Sequence, residues 1–256
     1  MTQFRIGTAG WSVPRTVAER FPAEGSALER YAARFPVAEI NSSFHRPHRL
    51  STWERWRDST PGHFRFSVKV PKTITHERKL SECDEPLAAF LEQAHVLGDK
   101  LAVLLVQLPP KLEFASALVE AFFADLAARS AAALACEPRD ASWFTGEADT
   151  LLRALGVARV AADPAVEPAA AIPGGWGGLA YWRLHGSPVM YRSSYADRIA
   201  SYAAAMRQAP GEAWCIFDNT ASSAAASDAL ALGEALGTAA AAICWPGGRP
   251  SCRSRT

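Results

Sequence analysis

Four acidic side chains, Glu39, Glu137, Asp163 and Asp218, three basic ones, Lys69, Arg139 and Arg183, and one imidazole, His185, each fall at or just past the end of an apolar run. That set can support acid–base chemistry. A carboxylate serves as general base, His185 or Lys69 as acid or electrophile, and an arginine holds an anionic substrate group through its planar fork. Histidine is the side-chain type able to carry charge or not near neutrality, which makes His185 the natural proton carrier of the set. Asn41, Gln107 and Asn219 add amides able to orient a polar ligand. A structural reading stands beside the catalytic one: Glu39 with Lys69 and Glu137 with Arg139 pair as ions that close the top of a core. Buried ion pairs add little net stability, so that reading leaves their presence in need of another reason.

Three more residues carry two readings each. His76, in the polar stretch after Lys69, is either a solvated loop residue or a ligand contact. Trp11 and Trp143, just past two strand-like runs, either cap the core or offer a stacking platform to a sugar or base. Gly186-Ser187 and Asn219-Thr220, ahead of Ser222, suit a phosphate, although Asp218 beside them opposes one. Glu39, Glu137, Asp163, His185 and Asp218 would give a mixed oxygen and nitrogen site for a divalent ion. Apart from His45 and His48, no two histidines stand at ligand spacing, so no metal ligand is assigned and a divalent metal is the less favoured expectation. There is no Gly-x-Ser-x-Gly elbow.

The elements that must position these groups follow from alternation. Successive strand side chains point to opposite faces, so Glu39 and Asn41 share a side, as do Arg65, Ser67 and Lys69, and Tyr181, Arg183 and His185. The other face carries Ala38 and Ile40, Phe64, Phe66, Val68 and Val70, then Trp182 and Leu184, as expected of strands covered by helices. Strand-like runs occur at about 4–8, 37–41, 64–70, 101–107, 133–137, 157–162, 179–185 and 213–218. Helical stripes lie between most of them: Leu28, Tyr31, Ala32 and Phe35; Leu87, Phe90, Leu91 and Ala94; Leu118, Val119, Phe122, Phe123 and Leu126; Tyr195, Ile199, Tyr202 and Met206; and the alanine-rich stretch 222–236. Eight such units predict an α/β fold, a single (β/α)8 barrel of the triosephosphate-isomerase type, with its site at the C-terminal strand ends. The sixth unit is irregular, because Pro164, Pro168, Pro173 and the run Gly174-Gly-Trp-Gly-Gly178 leave no room for a full crossover helix. The barrel domain is expected over 1–245 and a flexible tail over 246–256.

Composition narrows the partners. A formal charge of +1 gives no overall attraction to nucleic acid or an anionic membrane. No signal peptide or membrane span is evident, and a cytoplasmic location is the default. The five cysteines lack paired close spacing, and Cys136 and Cys215 fall in apolar strands as small hydrophobes. No Gly-x-Gly-x-x-Gly follows the first strand, so no dinucleotide cofactor is expected.

Landmarks running the length of the chain, Ile6-Gly-Thr-Ala-Gly-Trp11, Glu39-Ile-Asn-Ser-Ser-Phe44, Phe64-Arg-Phe-Ser-Val-Lys-Val-Pro71 with Ile74-Thr-His76, Gln107-Leu-Pro-Pro110, Glu137-x-Arg139 with Ser142-Trp143, Tyr181-x-Arg-Leu-His-Gly186 and Phe217-Asp-Asn-Thr220, resemble those of the YecE-like family, also called domain of unknown function 72. His45 departs from the resemblance, standing where the family pattern has Tyr. The resemblance implies the same barrel and brings no activity with it. From the residues, the leading expectation is an enzyme of open reaction class acting by acid–base chemistry on a small polar or anionic metabolite, phosphorylated ones included. Its proton-handling candidates are Glu39, Glu137, His185, Asp218 and Lys69, and its ligand contacts Trp11, Asn41, His76, Gln107, Arg139, Trp143, Arg183 and Asn219. The alternatives are a nucleic-acid-binding or repair-type barrel and a ligand-binding barrel without catalysis. Oligomeric state is left open.

Overall fold

Alternating strands and helices close into a barrel in this computed structural model, which describes residues 3–238. The strands are β1 (Phe4–Ala9), β2 (Val37–Ile40), β3 (Arg65–Lys69), β4 (Leu101–Gln107), β5 (Ala133–Glu137), β6 (Val157–Arg159), β7 (Ala161–Asp163), β8 (Gly174–Gly175), β9 (Leu179–Leu184) and β10 (Glu212–Phe217). Their order is β7-β9-β10-β1-β2-β3-β4-β5-β6-β8, and all neighbours are parallel except β6 with β8. Helices α1 (Ala27–Ala32), α2 (Leu50–Asp58), α3 (Asp84–Ala94), α4 (Ser116–Arg129), α5 (Gly146–Ala154), α6 (Ile199–Arg207) and α7 (Ala224–Leu236) wrap the sheet. The expected tail over 246–256, and the last residues of the expected barrel domain, lie outside the described residues.

Burial on both faces sets the strand composition. Inside the ring, Val37, Val103, Leu105, Ala135, Tyr181, Trp214 and Ile216 fill the lower barrel as one apolar cluster. Outside, Ile40, Phe66, Val68, Leu104, Trp182 and Phe217 pack under the helices. Cys83, Cys136 and Cys215 are buried free thiols. Gly7 allows β1 to lie close against Val37 of β2 and Tyr31 of α1. A Cβ there would stand 2.1 Å from the Val37 carbonyl oxygen and 2.9 Å from the Tyr31 hydroxyl. That hydroxyl donates to Val37 O at 2.9 Å and accepts from Thr8 N–H at 2.7 Å. Helix α1 opens on a reciprocal cap between Ser26 and Glu29.

The single sixth strand expected over 157–162 is two. β6 pairs with β5, β7 pairs with β9, and Val160 joins them, its N–H donating to Cys136 O at 2.8 Å. The cause lies in the irregular unit. Its short helical turn, Pro168–Ala171, leads into β8, which occupies the partner side of β6, so β9 is free to pair only from Ala161 onward. Gly175 sits at φ +66, where its missing Cβ would be 2.4 Å from Val157 O. Among the described residues, no helix is long and apolar enough to cross a membrane.

Candidate active site at the barrel mouth

The alternation of strand side chains delivers Glu39, Lys69, Glu137, Arg183, His185 and Asp218 to one place, the C-terminal end of the barrel interior. Arg183, at the centre, is wholly buried. Its Nε and Nη2 donate to the two oxygens of Glu39 at 2.9 and 2.6 Å, Nη1 donates to Glu137 Oε2 at 2.5 Å, and Nη2 also reaches Asp218 Oδ2 at 3.3 Å. Beneath it, Tyr181 Oη lies 2.9 Å from Ser67 Oγ and 3.2 Å from Glu39 Oε2. Almost every guanidinium donor is therefore spent inside the protein, which makes Arg183 the brace that holds three carboxylates together.

His185 lies above this brace, between two of those carboxylates. Nδ1 is 3.0 Å from Asp218 Oδ2 and Nε2 is 2.8 Å from Glu137 Oε1. Arg139 bonds to Glu137 Oε1 through Nη2, which also stands 2.7 Å from His185 Nε2. Nε2 thus faces an acceptor, Glu137 Oε1, and a donor, Arg139 Nη2: a protonated Nε2 is matched by the first and opposed by the second, and a bare one the reverse, while Nδ1 faces Asp218. Burial alone would push the Glu137 carboxyl up, but Arg139, Arg183 and His185 outweigh it and hold it well below the usual carboxylate range. Asp218 is likewise held low, against burial, by its bond to His185 and the charge of Arg183.

Lys69, at the rim of the same cluster, is only 7% exposed, with its ammonium 4.0 Å from the centroid of Phe44. Burial, then the like charge of Arg183, lowers it from 10.5 to about 8 against the pull of the three carboxylates. The ring of His76 meets the edge of Phe44 at 5.0 Å and bonds through Nδ1 to Thr75 Oγ1 at 2.9 Å. Burial and Lys69 together lower its pKa. The long polar connection after β3 is built on a single π-turn, Thr73–Glu77, which brings His76 back over the strand end. Beside it a cleft of about 250 Å³ opens between this connection and the one after β2, lined by Phe44, Arg46, Pro47, Trp53, Lys72 and Phe90 among others.

The remaining expected contacts divide. Asn41, Gln107 and Arg139 are half-buried at the rim, and Asn41 Oδ1 and Arg139 Nε are buried without a hydrogen-bond partner. Trp11 packs edge-on against Trp56 and Phe66. Trp143 is 1% exposed, and its Nε1 donates to Leu112 O at 2.7 Å, so it presents no stacking face. Asn219 is turned inward too: its Nδ2 donates to Asp228 Oδ2 at 2.7 Å and to Ser193 O at 3.0 Å. Asp163 bonds to Arg198 and Tyr202, away from the cluster. Among the described residues, no group of three or more His, Cys, Asp or Glu is arranged to hold a metal ion. One residue of the mouth escapes any sequence period. Tyr191, in the loop after β9, holds its ring edge-on to His185 at 6.1 Å, from a left-handed backbone at φ +63.

The family model for the protein of unknown function DUF72 matches residues 5–252. The chain belongs to the DUF72 family. Among curated DUF72-like relatives, the UPF0759 protein YecE of Escherichia coli K12 is 33% identical over 104 residues, 41% of this chain and 37% of that one. The UPF0759 protein YunF of Bacillus subtilis is 30% identical over 111 residues, 41% of this chain and 39% of the relative. These matches thus span about two fifths of the relatives' length. A DUF72 family protein of Enterococcus faecalis V583 superposes with a TM-score of 0.76 at 21% identity, covering 92% of this chain and 96% of that one. Another, from Thermotoga maritima MSB8, gives 0.74 at 22% identity, covering 92% and 99%. These structures support the DUF72 barrel and carry no chemistry with them.

Proposed function

We propose that the protein is an enzyme that moves protons on a small anionic metabolite bound at the C-terminal mouth of its barrel. The observation that carries this reading is the seat of His185, flanked by Glu137 and Asp218, where Nε2 has both an acceptor, Glu137, and a donor, Arg139, within reach. A ring nitrogen with an acceptor and a donor both at hand has a partner in either proton state, which suits a general acid–base. In this reading Arg183 and Glu39 brace the site, His185 carries the proton, Glu137 and Asp218 set its two states, and Lys69 and Arg139 draw the anionic group. Asn41 and Gln107 orient the substrate from the rim, with His76 and Trp11 flanking it. Substrate need not penetrate to Arg183, which is wholly buried, because Arg139, Asn41 and Gln107 are half-buried at the rim.

Small anions test the binding half of this reading. Oxalate, phosphate and sulfate, titrated into the full chain, are expected to raise its melting temperature saturably, and Lys69→Met or Arg139→Gln to weaken that response about tenfold. Melting temperatures that ignore these anions, or respond identically in both variants, would contradict the assignment.

A further inference from the structure

All three carboxylates of the mouth are already engaged: Glu39 by Arg183, Glu137 by Arg183, Arg139 and His185, and Asp218 by Arg183 and His185. Lys69 is left over. Among the described residues its Nζ forms no hydrogen bond and no ion pair, and its ammonium sits against the face of Phe44. An enclosed lysine ordinarily pairs with a carboxylate or runs its stem along the surface to put the ammonium in water. Lys69 has no carboxylate, and little of it reaches solvent. The remaining lysines are accounted for. Lys72 is paired with Glu77 at 3.1 Å, Lys100 donates to Thr60 O at 2.6 Å, and Lys79 and Lys111 are exposed.

We propose that Lys69 is a nucleophile that forms an imine with a small anionic carbonyl compound of the 2-oxo acid class. This rests on the acid–base reading of the mouth. An amine without fixed hydrogen bonds has its lone pair to offer once the proton leaves. Arg183 and burial disfavour that proton, Glu39, Glu137 and Asp218 favour it, and His76 stands beyond Phe44. Burial prevails, so roughly a tenth of the amine is free at pH 7. Arg139, half-buried at the same rim and with its buried Nε unpartnered, supplies the cation for the carboxylate of a 2-oxo acid. In the reaction Nζ bonds to the carbonyl carbon, giving a carbinolamine. Its C–O bond then breaks, the oxygen leaves as water with a proton from the His185 network, and the C=N bond forms. Neither oxidant nor reductant is consumed.

Reductive trapping tests it. The full chain is incubated at pH 7.5 with pyruvate or glyoxylate, with acetone as the neutral control, then treated with sodium borohydride, digested and analysed by mass spectrometry. The expected result is one saturable adduct on Lys69, at least tenfold above Lys79 and Lys111, weak with acetone and absent in Lys69→Arg. Equal labelling of the exposed lysines, or an unmodified Lys69 in folded protein, would overturn the imine. If trapping fails while Lys69→Met still loses its anion response, the imine falls and the acid–base reading stands. Trapping in a protein whose melting point ignores anions would keep the nucleophile and remove the anion site.

Discussion

Lys69 and Arg183 are both cations in the same buried cluster, yet their surroundings give them opposite consequences for stability. The ammonium of Lys69 falls from 10.5 to about 8 on folding, which corresponds to roughly 3 kcal/mol at about 1.4 kcal/mol per tenfold change. Below pH 8 the folded protein carries that whole cost. Between about 8 and 10.5 the unfolded chain holds a proton the folded one has shed, so stability rises with pH there. Lys69→Met should therefore stabilise the protein at pH 7, by up to about 3 kcal/mol in urea unfolding, with the gain shrinking as pH rises through that window. Arg183→Met should do the reverse, costing about 3–5 kcal/mol, because three carboxylates lose the cation that braces them. The meeting of these groups was legible in the sequence, since a period of two puts Arg183 and His185 on one face whatever the register. Trp143 capping the core was one of its two readings, whereas the inward turn of Asn219 was not legible, because it lies in a connection that carries no period. Asp228, which holds Asn219, offered one signal: an acidic residue inside an alanine-rich helical stretch. It pointed to a buried partner without naming it.

At the scale of elements, close approach matters more than propensity. Gly7→Ala would drive a methyl into the Val37 carbonyl and the Tyr31 hydroxyl, and is expected to cost on the order of 1–3 kcal/mol or more in chemical denaturation. Tyr191→Gly tests the loop after β9: glycine suits φ +63, so the fold should be kept while the ring beside His185 is lost. A fall in turnover with an unchanged melting point would show that this ring contributes to the site; unchanged turnover would show that it does not. The strands were readable because the two-sided burial of a parallel sheet leaves near-continuous apolar runs. Helices α2 and α5 were harder to see. The first has Trp53 and Trp56 as its buried residues among polar neighbours, and the second opens on Gly146 and buries only Ala148 and Leu152. The break between β6 and β7 has no local signal at all, because a distant pair of glycines takes up the hydrogen bonds of β6.

For the whole molecule, the near-zero net charge conceals a concentrated one. Glu39, Glu137 and Asp218 are held by Arg183 and Arg139 at ion-pair distance with Lys69 beside them, above an apolar cluster in the lower barrel. Glu137 and Asp218 are both held below their unfolded values, so their contribution is present above about pH 4 and is lost as pH falls through the folded values. The melting temperature should accordingly drop steeply below about pH 4, and Glu137→Gln should flatten that acid limb while lowering stability at pH 7. Eight strand units and the resemblance along the chain both point to the barrel, because topology is written in the spacing of apolar runs. Substrate identity is written in the shape of the mouth, which arises from connections distant in the chain. The most direct measurement is to incubate a mixed pool of anionic metabolites with the wild-type protein, His185→Asn and Glu137→Gln, each shown to be folded, and to follow the pool by NMR. One compound should be consumed by the wild type and at least a hundredfold more slowly by each variant. Equal consumption by all three proteins would contradict proton handling at His185.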